Sequence, residues 1–462
     1  MKTEDTITAI STPAGKGGIG IIRISGTDAY ALGKKVLQTK ENNNTVESHK
    51  ACHGYFYNPD TGDIMDEVMY IFMKNPHTYT REDMVEINAH GGIFLLTSML
   101  DVILSQGARL AGPGEFSFRA YMSGRIDLTQ AEAVADLIEA ESEAAAKIAI
   151  KNVMGSLKNA VRKIRSEIMD MYSISEAEID FADENLELES RDKIFERLTG
   201  TADKMNELIK SYDGGKLYRD GIKIGIFGRV NVGKSSLLNA ILGKDRVIVS
   251  DEPGTTRDTI EGNIIHSGVT LRFVDTAGLQ ENAGTVEAEG IKRAKKIMQE
   301  ADTAIIVIDV TNMNKEEDEK VYESIKKKIS GNIIAAYNKI DLIENIDAVN
   351  PVIDDDKLKN IYISAKENLN IDKLKGVLAE DIKKHTVLKN SDIIVSNIRH
   401  HNLLKQAYEC VERLIEGYKQ GTPNEFLSLD FSDCINYLGE ITGDTAADEL
   451  LDVIFSNFCI GK

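Results

Sequence analysis

Cysteine is scarce in this chain, and basic residues are outnumbered. The four cysteines among 462 residues (Cys52, Cys410, Cys434, Cys459) lie far apart, with no C-x-x-C pair and no histidine at metal-ligand spacing. A structural zinc site or a disulfide framework is therefore excluded as the organising device. No apolar run approaches the roughly 18 residues of a membrane-spanning helix, and the opening MKTEDTITAI carries acids where a secretion signal is basic. The expectation is a cytoplasmic protein with no membrane partner. At the other end, Cys459-Ile-Gly-Lys462 puts a cysteine where a prenylation box would have it, but Gly461 is not aliphatic and Lys462 is not a residue that ends such a box. Lys and Arg number 55 against 74 Asp and Glu, a formal charge of −19. Non-specific coating of nucleic acid needs clustered cations and is excluded. RNA as a specific partner stays open, because net charge says nothing about patches.

What is present is globular. Hydrophobic residues make up 42% and charged residues 28%, and the length suggests about three domains. Residues 1 to about 120 mix strand-like runs, Ile19 to Ser25 and Glu67 to Met73, with a helix over Phe94 to Leu104. From Leu128 the pattern turns helical: Leu157, Val161, Ile164, Ile168 and Met171 form an apolar stripe, broken only by Gly155 and Gly200 over the segment to Tyr212. Asp213-Gly-Gly215 reads as a linker. Strand-like runs then alternate with helical stretches: Ile222–Phe227, Thr270–Val274, Ala304–Asp309, Ile333–Tyr337 and Ile361–Ile363. That order predicts a parallel sheet with helices on both faces. Beyond about residue 385 the chain is helical again, so an α/β domain inserted into a helical domain is the economical arrangement.

The strongest chemical signal is Gly228-Arg-Val-Asn-Val-Gly-Lys-Ser235, which satisfies G-x-x-x-x-G-K-[ST] between a strand and a helix that opens at Ser236. Its backbone N–H groups, including that of Val232, can wrap a β-phosphate at a helix N-terminus. Gly228 and Gly233 give the loop its freedom, Lys234 meets β/γ oxygens, and the Ser235 hydroxyl suits Mg²⁺. Asp275-Thr276-Ala277-Gly278 ends another strand run; its acid can hold Mg²⁺ through water and Gly278 can meet a γ-phosphate. Asn338-Lys339-Ile-Asp341 follows a third, and a carboxylate there accepts from guanine N1–H and the 2-amino group, a donor pair adenine lacks. Ser364-Ala365-Lys366 is a weaker base-side signal. Together these point to GTP at the carboxyl edge of the sheet. By contrast, Gly15-Lys-Gly-Gly-Ile-Gly20 fits G-x-G-x-x-G but leads into a strand, so it reads as a hairpin turn. Leu279 stands where Ras-like proteins have a water-orienting Gln, so another group must position the water.

Pro253-Gly-Thr-Thr-Arg-Asp258 resembles the switch I of a bacterial GTPase group. One P-loop, the stretch Asp5 to Gly26, the stretches Gly112 to Phe116 and Asp127 to Ala133, and the terminal Phe458-Cys-Ile-Gly-Lys462 are similar, along the whole chain, to the tRNA-modification GTPases of the MnmE (TrmE) family.

That resemblance implies an N-terminal tetrahydrofolate-binding-like dimerisation domain (1–120), a helical domain in two parts (121–216 and 383–462) and a Ras-like GTPase domain between them (217–382). It implies a homodimer that joins the flavoprotein MnmG (GidA) in a heterotetramer and adds an aminomethyl or carboxymethylaminomethyl group to C5 of wobble uridine 34 of tRNA. Thr256 would be a second Mg²⁺ ligand. Asn231, Thr255 and the Ser250 and Glu252 carbonyls would hold K⁺, and Glu287 would place the attacking water; without the family Glu287 is an ordinary helix-face acid. Arg23, Glu86, Arg125 and Lys462 would contact a 5-formyl- or 5,10-methylene-tetrahydrofolate, with Arg125 standing where the family usually has Lys. Cys459 belongs to the family motif, either as a catalytic thiol or as a small apolar filler. A chain this acidic would leave much of the tRNA phosphate contact to its partner. An enzyme of this kind and a binding switch that only reports its nucleotide state are the two readings the residues allow.

Overall fold

The computed structural model describes residues 5–39, 47–180, 189–243, 260–274, 301–329, 331–346, 349–355, 358–385 and 393–462. It divides into two units, one of residues 1–135, 152–198 and 409–462, the other of 136–151 and 199–408.

In the first unit the strands are β1 (Ile7–Ile10), β2 (Ile19–Ser25), β3 (Leu37–Thr39), β4 (Ala51–Tyr57), β5 (Ile64–Met73), β6 (Met84–His90) and β7 (Arg109–Leu110). They form one sheet in the order β3-β4-β5-β6-β2-β1-β7, antiparallel except where β1 meets β7. The run Ile19 to Ser25 is a strand, as its alternation predicts, and residues 11–18 are the connection between antiparallel β1 and β2. Ile22, Ile24, Tyr70, Phe72, Val85 and Ile87 line a core that the helix Ile93–Ser105 closes with Leu96, Met99 and Ile103; burying each such side chain contributes about 1.5–3 kcal/mol. The apolar stripe from Leu157 to Met171 is the buried face of the helix Ser156–Asp180. It packs on the helix Asn424–Thr442, with Tyr172 stacked on Phe431 at 5.7 Å. Leu451, Phe455 and Phe458 close a further core over Phe118, Leu128 and Ala131.

The second unit holds β8 (Ile222–Phe227), β9 (Ile260–His266), β10 (Val269–Val274), β11 (Thr303–Asp309), β12 (Asn332–Asn338) and β13 (Lys359–Tyr362), in the order β13-β12-β11-β8-β10-β9. All neighbours are parallel except β9 and β10. Ile224, Ile226, Ile305 and Val307 share one core with Leu237, Leu374 and Leu378, while Phe227, Ala304, Ile306 and Ile308 share another with Tyr322 and Ile325. Both faces are covered, which is why β11 is buried at every position and reads as a continuous apolar run.

Two expectations are corrected. The sheet is mixed, not all parallel: β9 is an antiparallel edge strand whose Gly262 and Asn263 weaken its strand signal. Asp213-Gly-Gly215 is not a linker, and Gly200 is not a break: all lie inside the helix Arg191–Asp220. A Cβ on Gly215 would fall 2.1 Å from the Val395 carbonyl oxygen, so that glycine serves close backbone packing. Gly155, at φ +92°, does interrupt the helical path.

Candidate functional site

The G-x-x-x-x-G-K-S segment is the connection between β8 and the helix Lys234–Leu242. Gly228 has φ +145° and Gly233 φ +99°, both in the region that favours glycine. A Cβ at Gly228 would lie 2.4 Å from the Val307 carbonyl oxygen, and one at Gly233 2.3 Å from Asn338 Nδ2. Asn231 is left-handed as well, at φ +61°, and exposed.

Side chains hold the loop's carbonyls. Lys234 Nζ donates to Gly228 O (3.0 Å) and Arg229 O (2.7 Å), Lys339 Nζ to Asn231 O (3.1 Å), and Asn338 Nδ2 to Val232 O (2.9 Å). With these oxygens engaged, backbone N–H groups are what the loop offers to an anion. An ammonium has three protons; the two carbonyls orient Lys234 and leave one donor for a phosphate. Burial pushes the Lys234 ammonium below its ordinary range, a penalty that an incoming anion would offset. Ser235 and Ser236 are exposed in the first turn of the helix, where a hydroxyl can reach a cation next to a phosphate.

The base-side residues come together at the ends of β12 and β13. Asn338, buried, accepts from the Ala365 N–H through Oδ1 (3.0 Å) while its Nδ2 holds Val232, so one side chain ties the phosphate loop to the Ser364–Ala365 turn. Ser364 Oγ donates to Asp341 Oδ1 (2.6 Å). That bond orients the carboxylate and leaves acceptor capacity on it. Lys366 is exposed beside Glu367.

Two acids, Asp309 and Asp318, have no motif to announce them. Asp309, at the end of β11, accepts from Lys339 and from the Thr311 N–H and hydroxyl. Burial pushes its carboxyl up, but these donors outweigh burial and hold it below the usual carboxylate range. Arg229 reaches Glu317 and Asp318 at the start of the helix Lys315–Lys326. Acids at a strand end and a helix start read as solvated caps, and only the tertiary pairing reveals them.

Ser250, Glu252, Thr255, Thr256, Asp275, Thr276, Ala277, Gly278 and Glu287 lie outside the described residues. Among the described residues no group of three or more His, Cys, Asp or Glu side chains is arranged to hold a metal ion.

The other candidates belong to the first unit. Arg23 on β2 and Glu86 on β6 are register partners and form an ion pair (Nη2 to Oε1, 2.7 Å). The C-terminal tail is laid against them: Arg23 Nη1 donates to Gly461 O (3.3 Å), Phe116 N to Lys462 O (3.2 Å), and Pro113 pairs with Ile460. Gly461, at φ +92°, has its Cα against the Ile10 carbonyl, where a Cβ would lie 2.4 Å away. The tail thus brings the Gly461 carbonyl to Arg23, with Lys462 the next residue, while the Cys459 carbonyl accepts from the Gly114 N–H and its thiol is free and exposed. Arg125 is engaged elsewhere, donating to Tyr79 O (3.1 Å) with its guanidinium 5.0 Å from the Tyr79 ring centroid.

Comparison with known proteins adds the decisive observation. The family description "GTP-binding protein TrmE N-terminus" matches residues 6–125, and "MnmE helical domain" matches residues 128–459. The chain belongs to the MnmE family of tRNA modification GTPases. The tRNA modification GTPase MnmE of Natranaerobius thermophilus is 39% identical over 462 residues, covering 100% of both chains. That of Streptococcus pneumoniae (strain Hungary19A-6) is 41% identical over 460 residues, 99% of each chain. Among solved structures, Aquifex aeolicus Era bound to GDP.AlF4⁻ aligns with 41% of this chain and 66% of its own, at 30% identity and a TM-score of 0.29; that score by itself establishes no shared fold. The MnmE helical match encloses every strand of the second sheet, from Ile222 to Tyr362. No helix among the described residues is long and apolar enough to cross a membrane.

Proposed function

We propose that this chain binds and hydrolyses GTP and that the hydrolysis drives modification of tRNA, as the name of its relatives indicates for them. The observation that carries the reading is similarity to tRNA modification GTPases from end to end, supported by a P-loop whose carbonyls are held back from the phosphate position. Val232, Gly233, Lys234 and Ser236 line the phosphate position, and Asp341, oriented by Ser364, selects guanine. Ser235, Thr256 and Asp275 would hold Mg²⁺, which would supply compensation for phosphate charge. Asn231 and Thr255, with the Ser250 and Glu252 carbonyls, would hold K⁺, and Glu287 would position the water that Leu279 cannot. The left-handed, exposed Asn231 is consistent with a side chain presented to a ligand.

In the first unit, Arg23, Glu86 and Lys462 would contact a reduced folate, with Arg125 further out. The side chains of Arg23 and Glu86 are 22% and 23% exposed, so an acid and a cation are available to a heteroaromatic ring and its glutamate tail at a partly dry site. We further propose the domain division 1–120, 121–216, 217–382 and 383–462, a cytoplasmic homodimer, and a heterotetramer with the flavoprotein MnmG that alters C5 of uridine 34.

Two measurements test this. GTP hydrolysis should be faster in K⁺ than in Na⁺, and equal rates would overturn the K⁺ assignment. Wobble nucleosides from cells lacking the protein should lose the C5 substituent; unchanged uridine 34 would leave a nucleotide switch without a part in the modification.

A further inference from the structure

The P-loop is anchored to the rest of the second unit by a contact that the phosphate chemistry does not itself require. Arg229, the residue after the first P-loop glycine, turns its side chain away from the phosphate position. Its Nε donates to Asp318 Oδ1 (2.7 Å), Nη2 to Asp318 Oδ2 (3.3 Å) and Nη1 to Glu317 Oε2 (3.2 Å); Nη2 also donates to the Asn312 carbonyl. This fork is largely withdrawn from water, with 16% of the Arg229 side chain and 2% of the Asp318 side chain exposed. Asp318 is fixed in turn: its Oδ2 accepts from the Asn314 N–H (3.1 Å), while the Asn314 side chain caps the helix Lys315–Lys326 through the Glu317 N–H. Meanwhile the Arg229 carbonyl is one of the two that hold the Lys234 ammonium.

We infer that Arg229 is a positioning residue for the nucleotide's phosphates, acting through its own backbone. The bidentate pair with Asp318 fixes the Arg229 peptide, that peptide's carbonyl fixes Lys234 Nζ, and Lys234 presents its remaining proton to the phosphate. A bidentate, charge-assisted pair suits the task because a guanidinium fork fixes direction as well as distance. A lysine at 229 would keep the charge and lose the fork. The inference rests on the GTP reading above and extends it to a residue outside the phosphate shell.

The test is fluorescence titration of the full chain with N-methylanthraniloyl-GDP, alongside thermal melting without nucleotide. Arg229→Ala and Asp318→Asn should each weaken GDP about tenfold, the equivalent of about 1.4 kcal/mol. The double variant should be no worse than Arg229→Ala alone, since that change already removes the pair with Asp318. Arg229→Lys should recover only part of the loss. Ligand-free melting should fall less in Asp318→Asn than in Arg229→Ala, because the amide keeps the side-chain shape and one acceptor oxygen while Arg229 keeps Glu317 and the Asn312 carbonyl. GDP affinity within about twofold of wild type in both single variants, or a loss matched throughout by a collapse of ligand-free melting, would overturn the inference. Failure of the wild-type chain to bind GDP would instead overturn the nucleotide reading.

Discussion

Replacing Asn338 with Ala removes a single buried amide that serves two ends of the nucleotide site at once. Its Nδ2 satisfies the Val232 carbonyl and its Oδ1 the Ala365 N–H, and it is 2% exposed, so water does not replace it cheaply. Each orphaned buried group costs about 1–3 kcal/mol, which puts the combined cost at roughly 2–6 kcal/mol. Local opening should rise by the corresponding factor, about 30-fold at the lower end. Hydrogen–deuterium exchange of the ligand-free chain reads this directly, in peptides covering residues 228–234 and 364–366. Both peptides should lose protection in Asn338→Ala, and GDP affinity should fall with them. Asn338→Asp separates the bonds: the carboxylate still accepts from Ala365 but faces the Val232 carbonyl with no donor, so only the 228–234 peptide should open. Unchanged exchange in Asn338→Ala together with weakened GDP binding would refute the reasoning, because the residue would then act on the nucleotide alone.

Other consequences are as direct. Asp341→Asn places an amide donor where guanine also donates, and preference should move from GTP to xanthosine triphosphate by a factor of about 10⁴; undiminished GTP preference in a competition assay would refute the base assignment. In the first unit, Asp5 is held at about 2, against an ordinary 3.8, chiefly by its hydrogen bond from Arg109 and also by Arg119. Because the folded value is depressed, the charged form stabilises the fold above about pH 4, and that contribution is lost as pH falls toward 2. Urea midpoints should therefore drop on acidification more steeply in wild type than in Asp5→Asn, and parallel curves would contradict the assignment. Gly200 and Gly215 share the helix Arg191–Asp220, yet a Cβ at Gly200 meets nothing within 4 Å while one at Gly215 strikes the Val395 carbonyl. Gly200→Ala should stabilise by about 1 kcal/mol. Gly215→Ala should destabilise by about 1–3 kcal/mol, overpacking outweighing the same propensity gain; stabilisation by both changes would dismiss the packing account.

Legibility in the sequence followed the range over which each feature is specified. β8, β10, β11 and β12 could be read almost to their ends because buried positions demand apolar residues, continuously in β11 and on either side of Lys223 in β8 and of Arg272 in β10, a local condition. The P-loop was legible because the positive φ of Gly228 and Gly233 is a local demand, even though Val307 and Asn338 also crowd them from afar. Asp309 and Asp318 were not, because a carboxylate beside a distant Lys339 or Arg229 leaves the same trace in sequence as one beside water. Nor does any spacing join Arg23 to Gly461, 438 residues apart along the chain; only the family resemblance brought the C-terminal tail to that pair.

Asp213-Gly-Gly215 marks where local reasoning fails by construction. Adjacent glycines after a polar residue are a fair sign of a turn, since glycine costs a helix about 1 kcal/mol relative to alanine. What overrides that cost is an approach that any side chain would block. The Val395 carbonyl lies where the Gly215 Cβ would be, and the Val395 N–H donates to Ser211 Oγ (3.0 Å), one turn earlier on the same helix. The backbone at Val395 is thus held against the helix by the hydrogen bond that its N–H donates to Ser211, and the absence of a side chain at Gly215 is what permits that bond to form. A glycine pair in a helix and a glycine pair in a linker differ only in what lies opposite them, and here the residue opposite comes from 180 positions further along.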